Sequence, residues 1–251
     1  MDFGQWLMAM GRVRGLCCVL VLLSLAGGVR AVELSGTGTE NDPYRIGSVA
    51  EWAIFATTPA YWVAETYTVL AADIDFASAN ATEAIGLSEE TSFAGTFDGR
   101  GYTLIRYGMA YDNPGSNDGV FSTVSGCVKN LRLERAILQS SVTDNAGILA
   151  GTVAPAGKII NCHVTDCVVS APYSSMVGGL VGNCKGVMVG CSARKTSDAT
   201  GAQGVVAGTF GVGGLVGGSD GNSAVIAQSW ATVAVGSESG QYVGGFAGIL
   251  G

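Results

Sequence analysis

Few side chains in this 251-residue chain could carry chemistry. His163 is the only histidine, so a His-Glu-x-x-His zinc site cannot form. No Gly-x-Ser-x-Gly elbow accompanies it to build a nucleophilic triad. It sits between Cys162 and Val164 in a strand-like phrase, with the opposite parity, and is expected to point outward as an ordinary surface residue. Carboxylates are the stronger enzymatic candidates. Acid pairs about 5 to 9.5 Å apart cleave glycosidic bonds, and clustered acids hold calcium. Asp73 and Asp75 have the parity to share one face and Asp98 could approach them, so these three are the candidate calcium ligands. The competing reading is structural aspartates at turns. No other metal site and no cofactor is expected.

The remaining reactive groups are thiols. Cys127, Cys162, Cys167, Cys184 and Cys191 lie beyond the first thirty-one residues, without a Cys-x-x-Cys pair to suggest zinc or redox chemistry. Cys162 and Cys191 fall on adjacent repeats. Stacked positions on parallel strands point their Cβ atoms the same way, a poor geometry for a disulfide, so a ladder of free thiols is expected. Tyr111, Tyr173, Trp230 and Tyr242 could stack on sugars if they share a face. With no catalytic constellation visible, the chain reads as a non-enzyme.

What positions these groups is a repeat. Glycine supplies 39 residues, yet not every third, which excludes collagen. It recurs in one phrase, from Asp118-Gly119-Val120-Phe121 through Ala146-Gly147-Ile148-Leu149 to Val177-Gly178-Gly179-Leu180-Val181-Gly182. Further copies are Val212-Gly213-Gly214-Leu215-Val216-Gly217 and Val243-Gly244-Gly245-Phe246. The steps between copies are 28, 31, 35 and 31 residues, the period of a solenoid. Between them lie short alternating segments bounded by Gly, Asn and Ser, which read as strands. Stacking predicts three inward columns: Phe121/Leu149/Leu180/Leu215/Phe246, Leu131/Cys162/Cys191/Ser229, and Leu133/Val164/Ala193/Ala231. It also puts Arg135, Asp166, Lys195 and Val233 in one column, an alternating charge ladder and not a paired-acid site. A β-propeller blade needs about 40 residues, more than these repeats offer.

Residues 1–31 carry Arg12 and Arg14, an apolar run over 16–26, and Val29 and Ala31 before the expected cleavage point. This is the order of a secretory signal peptide. The mature chain would begin at Val32, be exported, and contain no membrane span. Without the signal the count is 10 basic against 19 acidic side chains, a formal −9, so nucleic acid is not an expected partner. Ser48 with Glu51 three residues on is a capping box for a short helix over 49–56, whose Trp52 and Phe55, with Trp62, could cover one end of the solenoid. Strands are expected at Tyr67–Leu70 and Tyr102–Ile105.

The segments 36–46, 67–76 and 93–104, followed by the Gly-Gly-Leu-Val-Gly phrases at 178–182 and 213–217, resemble in order the GLUG-motif proteins. The resemblance covers nearly all of residues 36–251. It implies a right-handed parallel β-helix of an extracellular bacterial protein, as in adhesins and the non-catalytic region of IgA-cleaving surface peptidases. The expected organisation is an N-terminal cap and first coils over 32–110, then GLUG-type coils over 111–251 that stop incomplete. The implied role is an adhesin, stalk or binding module, with an extracellular glycan or a host or cell-surface protein as partner. Self-association through the apolar last coil is also expected. The alternatives are a polysaccharide lyase or hydrolase, and the N-terminal piece of a larger surface peptidase or adhesin.

Overall fold

The computed structural model describes residues 33–77, 84–86, 91–111, 117–141, 144–197, 204–219, 224–237 and 241–250; the expected signal segment lies outside them. Among the described residues all 23 strand pairings are parallel and join one coil to the next. The chain is a parallel β-helix, as its repeats require. One repeat cannot bury its apolar face alone, whereas stacked repeats bury a continuous one.

Each full coil visits five sheets in turn. In the coil that starts at residue 158 the strands are Lys158–Ile160, His163–Thr165, Val168–Ser170, Met176–Gly178 and Val181–Cys184. The corner between the first and second sheets is turned by a left-handed residue in four successive coils: Asn130, Asn161, Gly190 and Gln228 have φ of 53°, 53°, 69° and 51°. Asparagine and glycine reach this region at least cost. At the next corner Arg106, Arg135 and Asp166 do the same. The charge ladder thus exists as a column, but its members bond elsewhere. Arg135 pairs with Glu134 at 2.9 Å, and Asp166 accepts from the Thr196 backbone N–H and hydroxyl at 2.7 Å each.

The column Leu133–Val164–Ala193–Ala231 is observed, and Leu104 and Ile74 extend it. Leu131, Cys162 and Cys191 are buried two residues before Leu133, Val164 and Ala193, immediately ahead of the same strands. One predicted member is misplaced. Phe121 pairs with Ala150, not Leu149, because Asp118 pairs with Ala146 and the first copy is one residue shorter across its bend. Leu149, Leu180 and Leu215 are fully buried, with Phe246 partly buried beside them.

The fourth and fifth sheets lie back to back with almost no side chain between them. A Cβ on Gly182 would stand 2.6 Å from both the Ala146 nitrogen and the Gly151 oxygen. Strands Ala150–Val153, Val181–Cys184 and Val216–Ser219 are consequently buried at every residue.

The helix forms at Val49–Thr57. Ser48 Oγ accepts from the Glu51 N–H at 3.3 Å, while the Glu51 carboxylate accepts from the Gly47 N–H at 2.8 Å. Its Trp52 packs edge-on against Phe76, Phe97 and Tyr107, with centroids 5.7–6.0 Å apart, and donates Nε1–H to the Tyr107 hydroxyl at 3.2 Å. Trp62 Nε1–H is donated to the Phe55 carbonyl at 2.8 Å. These rings fill the core end that the first coils leave open.

All five described cysteines are free. Burial raises every thiol pKa, that of Cys167 to about 12 and those of Cys184 and Cys191 to about 11. Cys162 and Cys191 do stack on adjacent coils. In the native chain without residues 1–31, a neutral thiol-specific reagent should therefore label only the half-exposed Cys127 quickly, and four further thiols after denaturation. Recovery of a Cys162–Cys191 crosslinked peptide without added oxidant would contradict this.

Candidate functional site

A strand presents alternate residues to opposite faces, so the register that puts Leu133, Val164 and Ala193 inside puts their neighbours outside. The second sheet thereby displays Thr103, Arg132, His163, Ser192 and Trp230 as one outward column. Glu134, Thr165 and Arg194 form a second. Together they line a groove of about 390 Å³.

His163 is the hub of this groove. Its Nε2 lies 3.0 Å from Asn161 Oδ1 and its Nδ1 2.9 Å from Ser192 Oγ. An amide oxygen can only accept, so Nε2 carries the proton and Nδ1 accepts from the serine. Asn161 Nδ2 donates to Asn130 Oδ1 at 2.9 Å, and Asn130 Nδ2 to Asp98 Oδ1 at 3.0 Å. A directed chain of hydrogen bonds thus runs from Ser192 through four coils to a carboxylate. The left-handed corner positions the asparagines, and each bond polarises the next.

The arrangement includes a serine beside a histidine that an amide orients, the parts of a nucleophilic triad. The groups around this serine are committed elsewhere. Ser192 is 2% exposed. The Ser192, His163 and Cys191 backbone N–H groups are already donated to Cys162 O, Leu131 O and Ser229 Oγ, which leaves none of the three to stabilise an oxyanion. The groove is lined by two guanidiniums, the Glu134 carboxylate, the Thr103 and Thr165 hydroxyls, an imidazole and the face of Trp230.

The His163 pKa lies below its ordinary 6.5, first because the ring is partly buried and then because Arg132 and Arg194 repel a proton on it. The unfolded chain therefore binds this proton more tightly than the folded one. The group costs no stability well above pH 6.5 and an increasing amount as pH falls below it. His163→Gln, which keeps polar contacts, should show a shallower fall in melting temperature between pH 7 and 5 than the parent. Parallel melting curves would refute this.

The carboxylates proposed for calcium are not brought together. Asp73 Oδ1 accepts from the Thr103 N–H at 2.7 Å. Asp75 pairs with Arg106, whose hydrogen bond holds the carboxyl pKa below 3.8. Asp98, on the first sheet, accepts from the Arg100 N–H at 2.8 Å and pairs with Lys129 at 3.6 Å. Among the described residues no three acidic, histidine or cysteine side chains group as metal ligands. Nor do the four aromatics share a face. Trp230 lies in the groove. Tyr242 packs edge-on against Phe210 at 5.0 Å, Tyr173 is 72% exposed in the bend between the third and fourth sheets two coils earlier, and Tyr111 donates its hydroxyl to Gly119 O at 3.3 Å.

No family model matches the chain. It is 31% identical over 155 residues to halomucin of Haloquadratum walsbyi, a match that covers 59% of this chain and 2% of that protein. Its backbone resembles the crystal structure of a candidate immunoglobulin A1 protease from Bacteroides ovatus, with a TM-score of 0.65 and 20% identity over 86% of this chain and 64% of that one. The chain therefore spans a small segment of the first and less than two thirds of the second. What these likenesses establish, together with the observed register, is a β-helix repeat protein.

Proposed function

We propose that the chain is a non-catalytic repeat module of an exported, surface-associated protein, a stalk that also binds glycan along the outward face of its second sheet. The observation that carries this is the groove itself. Five coils align hydroxyls, an imidazole and guanidiniums beside the exposed indole of Trp230, the mixture of hydrogen bonding and flat apolar surface that holds a sugar ring. The segment likeness to halomucin and the signal-like residues 1–31 agree with export. The buried serine and committed backbone amides favour binding over cleavage.

A panel of neutral and acidic polysaccharides, immobilised and probed with the parent chain and Trp230→Ala, tests the reading. At least one polysaccharide should retain the parent, lose most of that retention with the variant, and yield neither new reducing ends nor unsaturated products. Cleavage at the groove would move the chain to the polysaccharide-active class. Retention by none would reject glycan binding.

A further inference from the structure

The reading of the groove as a glycan site can be taken to a class of ligand. We propose that it takes an acidic polysaccharide, with carboxylate or sulfate groups held by Arg132 and Arg194 and one sugar ring laid on Trp230. The first support is charge that nothing else in the fold uses. The ion pairs among the described residues are Arg45–Asp42, Arg106–Asp75, Lys129–Asp98 and Arg135–Glu134. Neither Arg132 nor Arg194 belongs to one, and Glu134, the carboxylate lining the groove, is engaged by Arg135 outside it. On a chain of formal charge −7, two guanidiniums face one cavity without an acidic partner among the described residues.

The second support is how those guanidiniums are held and spaced. Arg194 donates Nε–H to Thr165 Oγ1 at 3.0 Å, which orients the fork and leaves its Nη groups for a bidentate anion. Arg132 pairs in register with His163, and His163 with Ser192, two residues before Arg194. The two arginines are thus two coils apart, about 10 Å along the solenoid axis. An extended polysaccharide that carries one anionic group per disaccharide presents its charges at a comparable interval. Both charges reach His163 between them and repel a proton there, so the groove is cationic even with the imidazole neutral. The third support is the platform. Ser192 pairs with Trp230, which places the indole one coil beyond the serine at the end of the same column. A linear chain lying along the axis would cross Arg132, His163 and Trp230 in order.

Trp230 also reports on the site, because Trp52 and Trp62 are buried while it is 48% exposed. The exported chain is titrated with hexagalacturonate, a chondroitin sulfate hexasaccharide, cellohexaose and a DNA 12-mer, and Trp230 is read by acrylamide quenching. At least one acidic hexasaccharide should shield Trp230, with cellohexaose and DNA much weaker. Hexagalacturonate carries carboxylates alone and chondroitin sulfate carries both groups, so binding of the second without the first assigns recognition to sulfate. Arg132→Gln/Arg194→Gln should weaken the acidic ligand at least tenfold while the far-UV spectrum and melting temperature stay those of the parent. Should that variant fail to fold, the parent decides: its affinity must fall steeply between about 0.05 and 0.5 M salt as screening shortens. Cellohexaose or DNA bound as well as the acids, an unchanged double variant, or salt-independent affinity would each overturn the acidic assignment and leave the glycan reading standing on the polysaccharide panel. No binding by any sugar would overturn both.

Discussion

Leu180→Asp should cost the fold about 5 kcal/mol or more, on the scale of the whole stability of an ordinary domain. The side chain is fully buried at the bend between the fourth and fifth sheets. Its backbone N–H is donated to Leu215 O at 2.9 Å, and its carbonyl accepts from the Leu149 N–H at the same distance, so it cannot swing out without breaking both neighbouring coils. Loss of the leucine removes about 2–3 kcal/mol of apolar burial. The carboxylate that replaces it finds leucines above and below, and either ionised or neutral it lacks hydrogen-bond partners there. In a solenoid each coil holds only its neighbours, so damage at the central coil severs the stack. Thermal melts by circular dichroism should show a fall of at least about 10 °C, at the roughly 2–4 °C per kcal/mol of a domain this size. Leu180→Met, which conserves volume, should stay within about 1.5 kcal/mol. A Leu180→Asp protein that melts within about 2 °C of the parent would refute the inward placement.

The reason this residue was legible from the sequence alone is that three signals agree on it: the glycine phrase, the β-branched flanks and the constant parity of stacked strands. The helical cap was legible for a different reason, because Ser48, Glu51, Trp52 and Phe55 interact within one or two turns of each other. Register at Phe121 was not. Val120-Phe121 and Ile148-Leu149 are interchangeable by residue type, and only the pairing of Phe121 with Ala150 reveals that one bend is a residue shorter. The aspartates failed similarly. Parity could place Asp73 and Asp75 on one face, but not foresee that the Thr103 N–H and Arg106 of the next coil would occupy them.

The groove stood half in view. The aligned phrases that yielded the column Leu133, Val164, Ala193 and Ala231 also contain Arg132, His163, Ser192 and Trp230 one residue earlier. Reading the outward positions of the same alignment would have assembled the site. Treating His163 singly hid it, since a lone histidine carries no information until its neighbours 29 and 31 residues away are placed beside it. The asparagine chain behind it had a sequence signal too, Asn130 and Asn161 at matching points of their phrases.

Gly182→Ala should also be clearly damaging, although it adds a single methyl group. The new Cβ would lie 2.6 Å from the Ala146 nitrogen and the Gly151 oxygen, both main-chain atoms of strands held by hydrogen bonds to coils on either side. A long side chain could rotate away from such a clash, but a paired strand cannot. Relief requires the fourth and fifth sheets to part. The same contact recurs at Gly151, where a Cβ would stand 2.6 Å from the Asp118 nitrogen, and at Gly248, where it would stand 2.5 Å from the Val212 nitrogen, so parting at one coil strains the next. Overpacking of a core commonly costs about 1–3 kcal/mol, and backbone that cannot yield puts this case at or above the upper end. Gly108→Ala is the matched control. It too sits in a strand, Gly108–Tyr111, but a Cβ there meets nothing within 4 Å, and alanine restricts the unfolded chain more than glycine does. That variant should melt at or slightly above the parent temperature, whereas Gly182→Ala should melt several degrees lower. Equal melting of the two variants would mean that the paired sheets can separate freely, and that the glycine phrase serves some purpose other than close contact.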